Sequence, residues 1–409
     1  MIHVGIDWAS DHHDIVTVDE RGCRNTGFRV SQDAEGIATL RERLRALAVE
    51  AGGKEHLAIG IETSHLLLVD VLLNDGYKVY PLNPKAVSRY RDRYAVSGAK
   101  SDDFDAELIA QALRTDRDRF RPLVPDSDLV RELRILVSDQ RRFIRTRTLF
   151  SNQLRAALRD YFPTALTLFE DLDSPTALAF LKAHPRPAKI PAKQLERLLA
   201  KNRHPSPKDR AQTIAAALAG PAIPVDEFAI RAKARATVTL VNQLQILNEQ
   251  LQGYQREIEE LFERHPDADI FKSFPGAGPS NGPRLLAEIG DNRDRYTDAD
   301  GLQGEAGTSP VTKASGKSHF VQMRRACRRS FRDAMYQFAF CSMKKSGWAR
   351  AFYDTQRARG HNHAAALRSL GDKWLKIIHR VWKDRVTYDE KTYLAQRMRH
   401  QLKCIPTAA

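Results

Sequence analysis

Apolar and polar positions change rhythm twice along this chain. Up to about residue 120, short apolar runs alternate with amphipathic ones. Residues 2–8 (IHVGIDW) and 14–19 (DIVTVD) read as strands joined by the polar turn ASDHH, with a third strand near 23–30. Residues 33–50 show helical spacing behind Asp33, a residue type that caps helices. LAIGIE at 57–62 is the continuous apolar run of a buried strand, VDVLLNDG a helix stopped by Gly76, and YKVYPL at 77–82 a further strand. A Ser/Asp cap then opens a helix over 101–113. Elements alternating in this order predict an α/β domain with a mixed sheet over residues 1–122.

After Pro122 the strand signals stop. Leu129, Leu133 and Leu136 begin a helix that is expected to run to about Tyr161. The stretch 184–224 is interrupted by prolines and reads as short helices and linkers. Then Leu240, Leu244, Leu247, Leu251, Tyr254, Ile258 and Leu261 step alternately by four and three, an a/d seam that ends at Pro266. Residues 123–266 are therefore expected to form a long helical coiled-coil segment, the seam making an antiparallel hairpin with 129–160. Whether the seam is also shared between protomers stays open. Residues 267–409 read as a third, mostly α-helical domain.

Composition narrows the class. The 409 residues suit two or three domains. No run approaches the roughly 18 apolar residues of a membrane span, and MIHVGIDWAS lacks the basic-then-apolar pattern of a secretory signal. Cys23, Cys327, Cys341 and Cys404 lie far apart without zinc-site spacing. These features predict a reduced, cytoplasmic protein with no membrane partner. The net charge is +14, and the imbalance is localised: residues 310–409 hold 22 Lys and Arg against 6 Asp and Glu. An excess of that size in one region points to nucleic acid.

The acids of the first domain carry the chemistry. Asp7 interrupts the apolar run IHVGIDW, and Glu62 ends the run AIGIE. A carboxylate in such surroundings is costly unless compensated. Asp102 and Asp105 stand three apart at a helix start and project to one side. Each acid alone has an ordinary reading, as a turn residue, a capping acid or part of a capping box. Together, four carboxylates at one sheet edge would repel one another unless divalent cations lie between them. Magnesium prefers such oxygen ligands, and a pair of ions is the common arrangement for phosphodiester chemistry. An actin-like ATPase reading of GID is disfavoured, because the following turn WASDHH has no glycine and no phosphate-binding loop motif follows another strand.

With these residues in view, GIDWAS, AIGIETSH, LNPKAVSRYR with GAKSDDFDA, FPGAGPSNGPRLLAEIGD and AGTSPVTKASGK resemble, in order and over nearly the whole chain, the DEDD transposases of bacterial insertion sequences. These are also described as bridge-RNA-guided recombinases. The element Lys100 to Ala106 is the most specific part of the likeness. The resemblance implies an RNase H-like (RuvC-like) first domain and a C-terminal transposase domain. It implies that Asp7, Glu62, Asp102 and Asp105 bind two Mg2+ ions, with Mn2+ able to substitute. It places the family's nucleophilic serine at Ser315. It also implies donor and target DNA and a structured guide RNA as partners. Exchange between two DNA molecules needs at least two active sites, hence a homodimer or homotetramer.

Read without the resemblance, Ser315 in ASGK is usually just a turn, although Lys313, Gly316 and Lys317 suit the approach of a phosphate. In FPGAGPSNG, Gly276 and Gly278 are expected to shape a hairpin whose amides face a phosphate at a helix start. In RRACRRSFRDAMYQFAF, Arg324, Arg325, Arg328 and Arg329 are expected at helical spacing as a phosphate-binding face. Trp348, Phe352 and Tyr353 read as core. Two other functions fit the composition: a metal-dependent junction nuclease in which water attacks, and an inactive nucleic-acid-binding regulator.

Overall fold

The computed structural model describes residues 1–62, 67–83, 87–91, 102–221, 223–316 and 318–403, with side chains as far as residue 398. It forms two compact units, Met1–Pro125 and Asp126–Ala409. The segments read from sequence as 123–266 and 267–409 fall, but for their first three residues, in the second of these.

The first unit is built on a mixed sheet. Its strands are β1 (Ile2–Trp8), β2 (His12–Val18), β3 (Arg24–Ser31), β4 (Leu57–Ile61) and β5 (Lys78–Pro81), in the order β3-β2-β1-β4-β5. The β1–β2 and β2–β3 pairs are antiparallel, and β1–β4 and β4–β5 are parallel. Side chains alternate between the faces. Ile2, Val4 and Ile6 of β1, with Leu57, Ile59 and Ile61 of β4, pack in one cluster with α1 (Ala34–Ala51) and α2 (Leu67–Asn74). The opposite face belongs to α3 (Asp102–Asp116).

Two glycines set how closely α3 lies. Gly5 and Gly60 are register partners on β1 and β4. A Cβ on Gly5 would fall 1.9 Å from the Ala106 carbonyl oxygen and 2.6 Å from the Ala110 amide nitrogen. A Cβ on Gly60 would fall 2.8 Å from the Ile109 side chain. The helix backbone therefore rests directly on this glycine pair, and its position is fixed to within the size of a methyl group.

The second unit is mostly helical. Helices α4 (Asp128–Tyr161) and α8 (Glu227–Glu263) run side by side, with the short helices α5 (Pro175–Ala183), α6 (Ala192–Lys201) and α7 (Pro207–Ala219) between them in sequence. Gln140 meets Gln255, Phe143 meets Tyr254, and Asp160 meets Lys233. Numbers that rise on one helix as they fall on the other make the pair antiparallel, as expected. Of the heptad positions, Leu244, Leu251, Ile258 and Leu261 are buried, and Leu244, Ile258 and Leu261 lie in the chain's own clusters.

The remainder comprises α9 (Ala268–Lys272), α10 (Gly278–Ile289), α11 (Ala299–Glu305), a hairpin of β6 (Val311–Ser315) and β7 (Ser318–Gln322), and helices α12 (Arg329–Ser342), α13 (Gly347–Ala358), α14 (His363–Lys383) and α15 (Glu390–Lys403). Its core is aromatic: Phe274, Phe338, Trp374 and Tyr388 meet largely edge to face. Trp348 lies in this core and donates to the Tyr388 hydroxyl at 2.9 Å. The buried carboxylate of Asp126 accepts from Arg134 (2.5 Å) and Arg295 (2.9 Å), which satisfies a charge that burial would otherwise make expensive. The same carboxylate leaves Gly290 no room for a side chain.

Among the described residues no helix is long and apolar enough to cross a membrane.

Candidate active site

Parallel pairing of β1 and β4 runs through Ile6 and Ile61. Asp7 is the next residue of β1 and Glu62 the first residue past β4, so both stand at the same edge of the sheet. Each lies two residues beyond a glycine of the α3 seat, and strand alternation puts them on the α3 face. Because Gly5 and Gly60 seat Ala106, Ala110 and Ile109, the first turn of α3, with Asp102 and Asp105, projects over that edge. The order glycine, isoleucine, acid, found in both GID and GIE, is thus a single device used twice. The glycine admits the helix, the isoleucine fills the other face, and the acid meets the helix's first turn.

The convergence shows in Asp7 itself. Burial pushes its carboxyl up to about 6, and the negative charges of Asp105, Glu62, Asp102 and Asp14 act in the same direction. Such an arrangement is costly in the absence of a cation and suits one when it is present.

The acids of the first helical turn are not equivalent. Asp103 takes two hydrogen bonds from Arg24 on β3, at 2.7 and 2.8 Å, and this pairing holds its carboxyl below the usual range. It anchors the helix. Asp105, 5% exposed, accepts from Arg91 at 2.5 Å. Glu62 lies partly buried at the sheet edge.

The structure adds two donors that sequence reading missed. Asp14 on β2 is the register partner of Asp7 on one side and of Arg29 on the other. It is 5% exposed, and Arg29 donates two hydrogen bonds to it, each 2.9 Å. His12, two residues earlier, shares its face. The His12 Nε2 atom lies 3.5 Å from Asp14 Oδ2 and 3.9 Å from Asp102 Oδ2. His12, Asp14 and Asp102 each offer one ligating atom within 4.8 Å of the others. The expected turn ASDHH hid His12, since β2 begins there and not at Asp14, and Asp14 was read only as the first residue of a strand. The signal was there: His12 and Asp14 alternate in phase with the apolar strand that follows. A donor set of carboxylate oxygens with one imidazole fits Mg2+ or Mn2+ in preference to soft ions.

In the second unit, Ser315 ends β6 and is exposed. Its register partner is Ser318, and Gly316 beside it has φ 55°. Lys313 is exposed on the same strand face. Lys317 lies outside the described residues, as do Lys100 and Ser101 of the DEDD motif's first part and the Thr63–His65 part of AIGIETSH. His319 pairs with Ala314 and so stands on the face opposite Ser315.

The two remaining groups divide. Gly276 (φ 86°) is tied to packing, because a Cβ there would lie 2.6 Å from the Ser342 amide nitrogen of α12. Gly278 (φ 52°), at the start of α10, is exposed with open space around it. The expected arginine helix from residue 324 is corrected: α12 begins at Arg329, and Arg324, Arg325 and Arg328 precede it. Arg328 pairs with Glu288 at 3.3 Å and Glu305 at 3.2 Å, so its guanidinium ties α10 and α11 to the start of α12. Long-range pairing across 40 residues overrides the local spacing that suggested a helix. Arg325 and Arg329 are exposed, and Arg324 is partly buried.

Comparison with known proteins adds an independent line. Residues 4–163 match a transposase family model of the DEDD type, and residues 268–354 match the model described as Transposase IS116/IS110/IS902 family. A Streptomyces coelicolor protein named as the mini-circle putative transposase for IS117 is 36% identical over 406 residues, covering 96% of this chain and 97% of its own length. The 44.8 kDa protein of insertion element IS116 from Streptomyces clavuligerus is 30% identical over 392 residues, 94% and 95% of the two chains. The 42 kDa protein of insertion element IS900 from Mycobacterium paratuberculosis is 28% identical over 405 residues, 96% and 98% of the two chains.

Proposed function

The chain belongs to the IS116/IS110/IS902 family of transposases and is an enzyme of insertion-sequence transposition, and from that premise we propose that it exchanges DNA strands through a serine-linked intermediate. The first unit is read as an RNase H-like, RuvC-like catalytic domain. The observation that carries the reading is the acidic edge: two strand ends and one helix start bring Asp7, Glu62, Asp102 and Asp105 together, at the cost of a raised Asp7.

In this reading Asp7, Glu62, Asp102 and Asp105 hold Mg2+ or Mn2+, with His12 and Asp14 at the flank. The ions, when bound, offset the charge that builds on a phosphodiester under attack. Ser315 Oγ loses its proton and bonds to phosphorus, a phosphorus–oxygen bond of the DNA backbone breaks, and the departing deoxyribose oxygen takes up a proton. A deoxyribose hydroxyl of another strand then reverses the step, so bond number is conserved and no free break remains. Lys313 lies where it can offset phosphate charge. His319, on the far face of the hairpin, is not positioned as the base. The acids and Ser315 belong to different units, so the reaction requires them to meet on DNA, within one chain or between chains of a dimer or tetramer.

The basic second unit suits phosphate contacts, which position without specifying. Choice of target is assigned here to a structured RNA, and the enzyme works in the cytoplasm on donor and target DNA. Sequencing RNA that co-purifies with the protein checks this part, and recovery of no discrete species would overturn it.

The central test uses Ser315→Ala and Asp102→Asn with DNA carrying the element's ends. Ser315→Ala is expected to abolish the covalent protein–DNA adduct and to cut cleavage by at least about a thousandfold, on the order of 4 kcal/mol of barrier. Asp102→Asn is expected to do the same. Cleavage that persists in Ser315→Ala would identify a nuclease in which water attacks. Recombination that persists in Asp102→Asn would eliminate the acidic edge as catalytic.

A further inference from the structure

The β6–β7 hairpin carries more than its serine. Register and alternation put Lys313, Ser315, Ser318 and Phe320 on one face, with Thr312, Ala314, His319 and Val321 on the other. Phe320 is directly opposite Lys313 and is 59% exposed; Val321, behind it, is 55% exposed. Of the hairpin's described residues only Val311 and Gln322, at its base, are partly covered. An isolated two-stranded ribbon is marginal in water, and one with its aromatic ring turned outward is a surface made to be covered.

The charge around it says by what. Between Glu305 and Asp333 the sequence has seven Lys and Arg and not one Asp or Glu, and of the seven Arg328 is taken up by Glu288 and Glu305. Exposed Arg325 and Arg329 follow the hairpin directly. A strip with one sign of charge, an aromatic ring and small hydroxyl residues matches a polyanion that also offers flat apolar faces, which describes a nucleic-acid strand. Spacing agrees. Phe320 is the diagonal neighbour of Ser315 across the ladder, and such neighbours stand about 7–8 Å apart. That is close to two base rises of about 3.4 Å along a strand.

We propose that the Ser315 face of this hairpin is a DNA-docking surface on which Phe320 packs against a nucleobase within two steps of the phosphate that Ser315 meets, opening a base step there. The proposal rests on Ser315 as the attacking residue for its purpose, but not for its binding measurement. Opening a step beside the exchanged phosphate frees a strand end to pair with another partner. An inserted apolar wedge is an established way to unstack a step.

The test is run in the full chain on a Ser315→Ala background, so that binding is read without cleavage. The probes are a 2-aminopurine-labelled DNA duplex of the element's end and the same duplex with a mismatch at the exchange point. Phe320→Ala is expected to weaken binding to the mismatched duplex by about five- to a hundredfold, the range for loss of one base–aromatic stack, and to weaken binding to the matched duplex less. Phe320→Trp is expected to retain affinity and to add a tryptophan signal that the mismatched duplex quenches. Equal affinities for Phe320→Ala and its parent would overturn the proposal, as would a fluorescence of Phe320→Trp that stays unchanged at saturation. A change of solution mass in Phe320→Ala with DNA binding intact would also overturn it, in favour of a second copy of the chain as the occupant. Because cleavage by Ser315→Ala is measured separately, failure of the serine mechanism and failure of the stacking surface give different results.

Discussion

Asp7 and Ser315 both sit at or near the ends of short strands, yet their surroundings differ in kind. Asp7 projects beneath a helix whose backbone touches the sheet through Gly5 and Gly60, beside a strand that presents Asp14 and, behind it, Arg29. Ser315 stands on an exposed ribbon with Gly316 in open space beside it. One region is preorganised: a cation site requires several oxygens held within tenths of an ångström, and only packing against rigid elements does that. The other is left open, which under the proposed function suits a group that would reach a large, variable polyanion. The cost falls differently too. In the acidic edge it is electrostatic and visible in the raised Asp7; in the hairpin it is exposed apolar surface.

The largest effect expected from breaking this contrast comes at Gly5. Adding one methyl places a carbon 1.9 Å from the Ala106 carbonyl, so α3 must move or the sheet must bend. Gly5→Ala should cost at least about 3 kcal/mol, at or above the top of the usual overpacking range, and should lower Mn2+ affinity by displacing Asp102 and Asp105 from Asp7. Gly60→Ala should cost less, since it meets a side chain that can turn. Urea unfolding and Mn2+ titration read both. A Gly5→Ala protein with parental stability would mean that the helix is not seated on the sheet as described.

The next effect is electrostatic and depends on pH. In the ion-free protein Asp7 has its carboxyl raised to about 6 by burial and by the surrounding acids, whereas the unfolded chain titrates near 4. Between those values the folded state holds the extra proton, so stability falls as pH rises from about 4 to about 6. Asp7→Asn removes that fall. At pH 7 with a chelator present it should be more stable than the parent by roughly 1–2 kcal/mol, a figure reduced for partial solvent contact. Added Mn2+ should stabilise the parent and leave Asp7→Asn nearly unmoved. Parallel pH profiles for the two proteins would show that the acids do not feel one another.

How much of this was legible in the sequence follows the same divide. The acids were readable because an Asp or Glu ending an apolar strand is costly enough to need a reason. The reason for the glycines was not readable, since it lies in a helix about a hundred residues beyond Gly5 and about fifty beyond Gly60. His12 was assigned to a turn, and Asp14 to no more than a strand's first position, because three polar residues open β2 and strand ends are where pattern is weakest. The arginines misled in the other direction. Their spacing fits a helix from 324, but Arg328 is drawn to Glu288 and Glu305, and tertiary ion pairs leave no local periodicity. The antiparallel α4–α8 pair was the clearest case, because a seam sustained over three heptads has few other solutions.

The smallest predicted effect separates space from backbone conformation. Gly316 has φ 55°, and a Cβ built there meets nothing within 4 Å. Gly5 is the reverse, with ordinary backbone angles and no room. Gly316→Ala should therefore cost only about 1 kcal/mol, the penalty for placing an L side chain in the left-handed region, and the rest of the second unit should keep its stability. The consequence for function should exceed the consequence for stability, because the strain sits one residue from Ser315 and the hairpin has no packing to hold its register. Gly316→Asn, which tolerates that conformation better than Ala, should recover part of any lost adduct formation at nearly unchanged melting temperature. If Ala and Asn behave alike, the positive φ is not what sets the serine, and the open face of the hairpin must be ordered by the DNA instead.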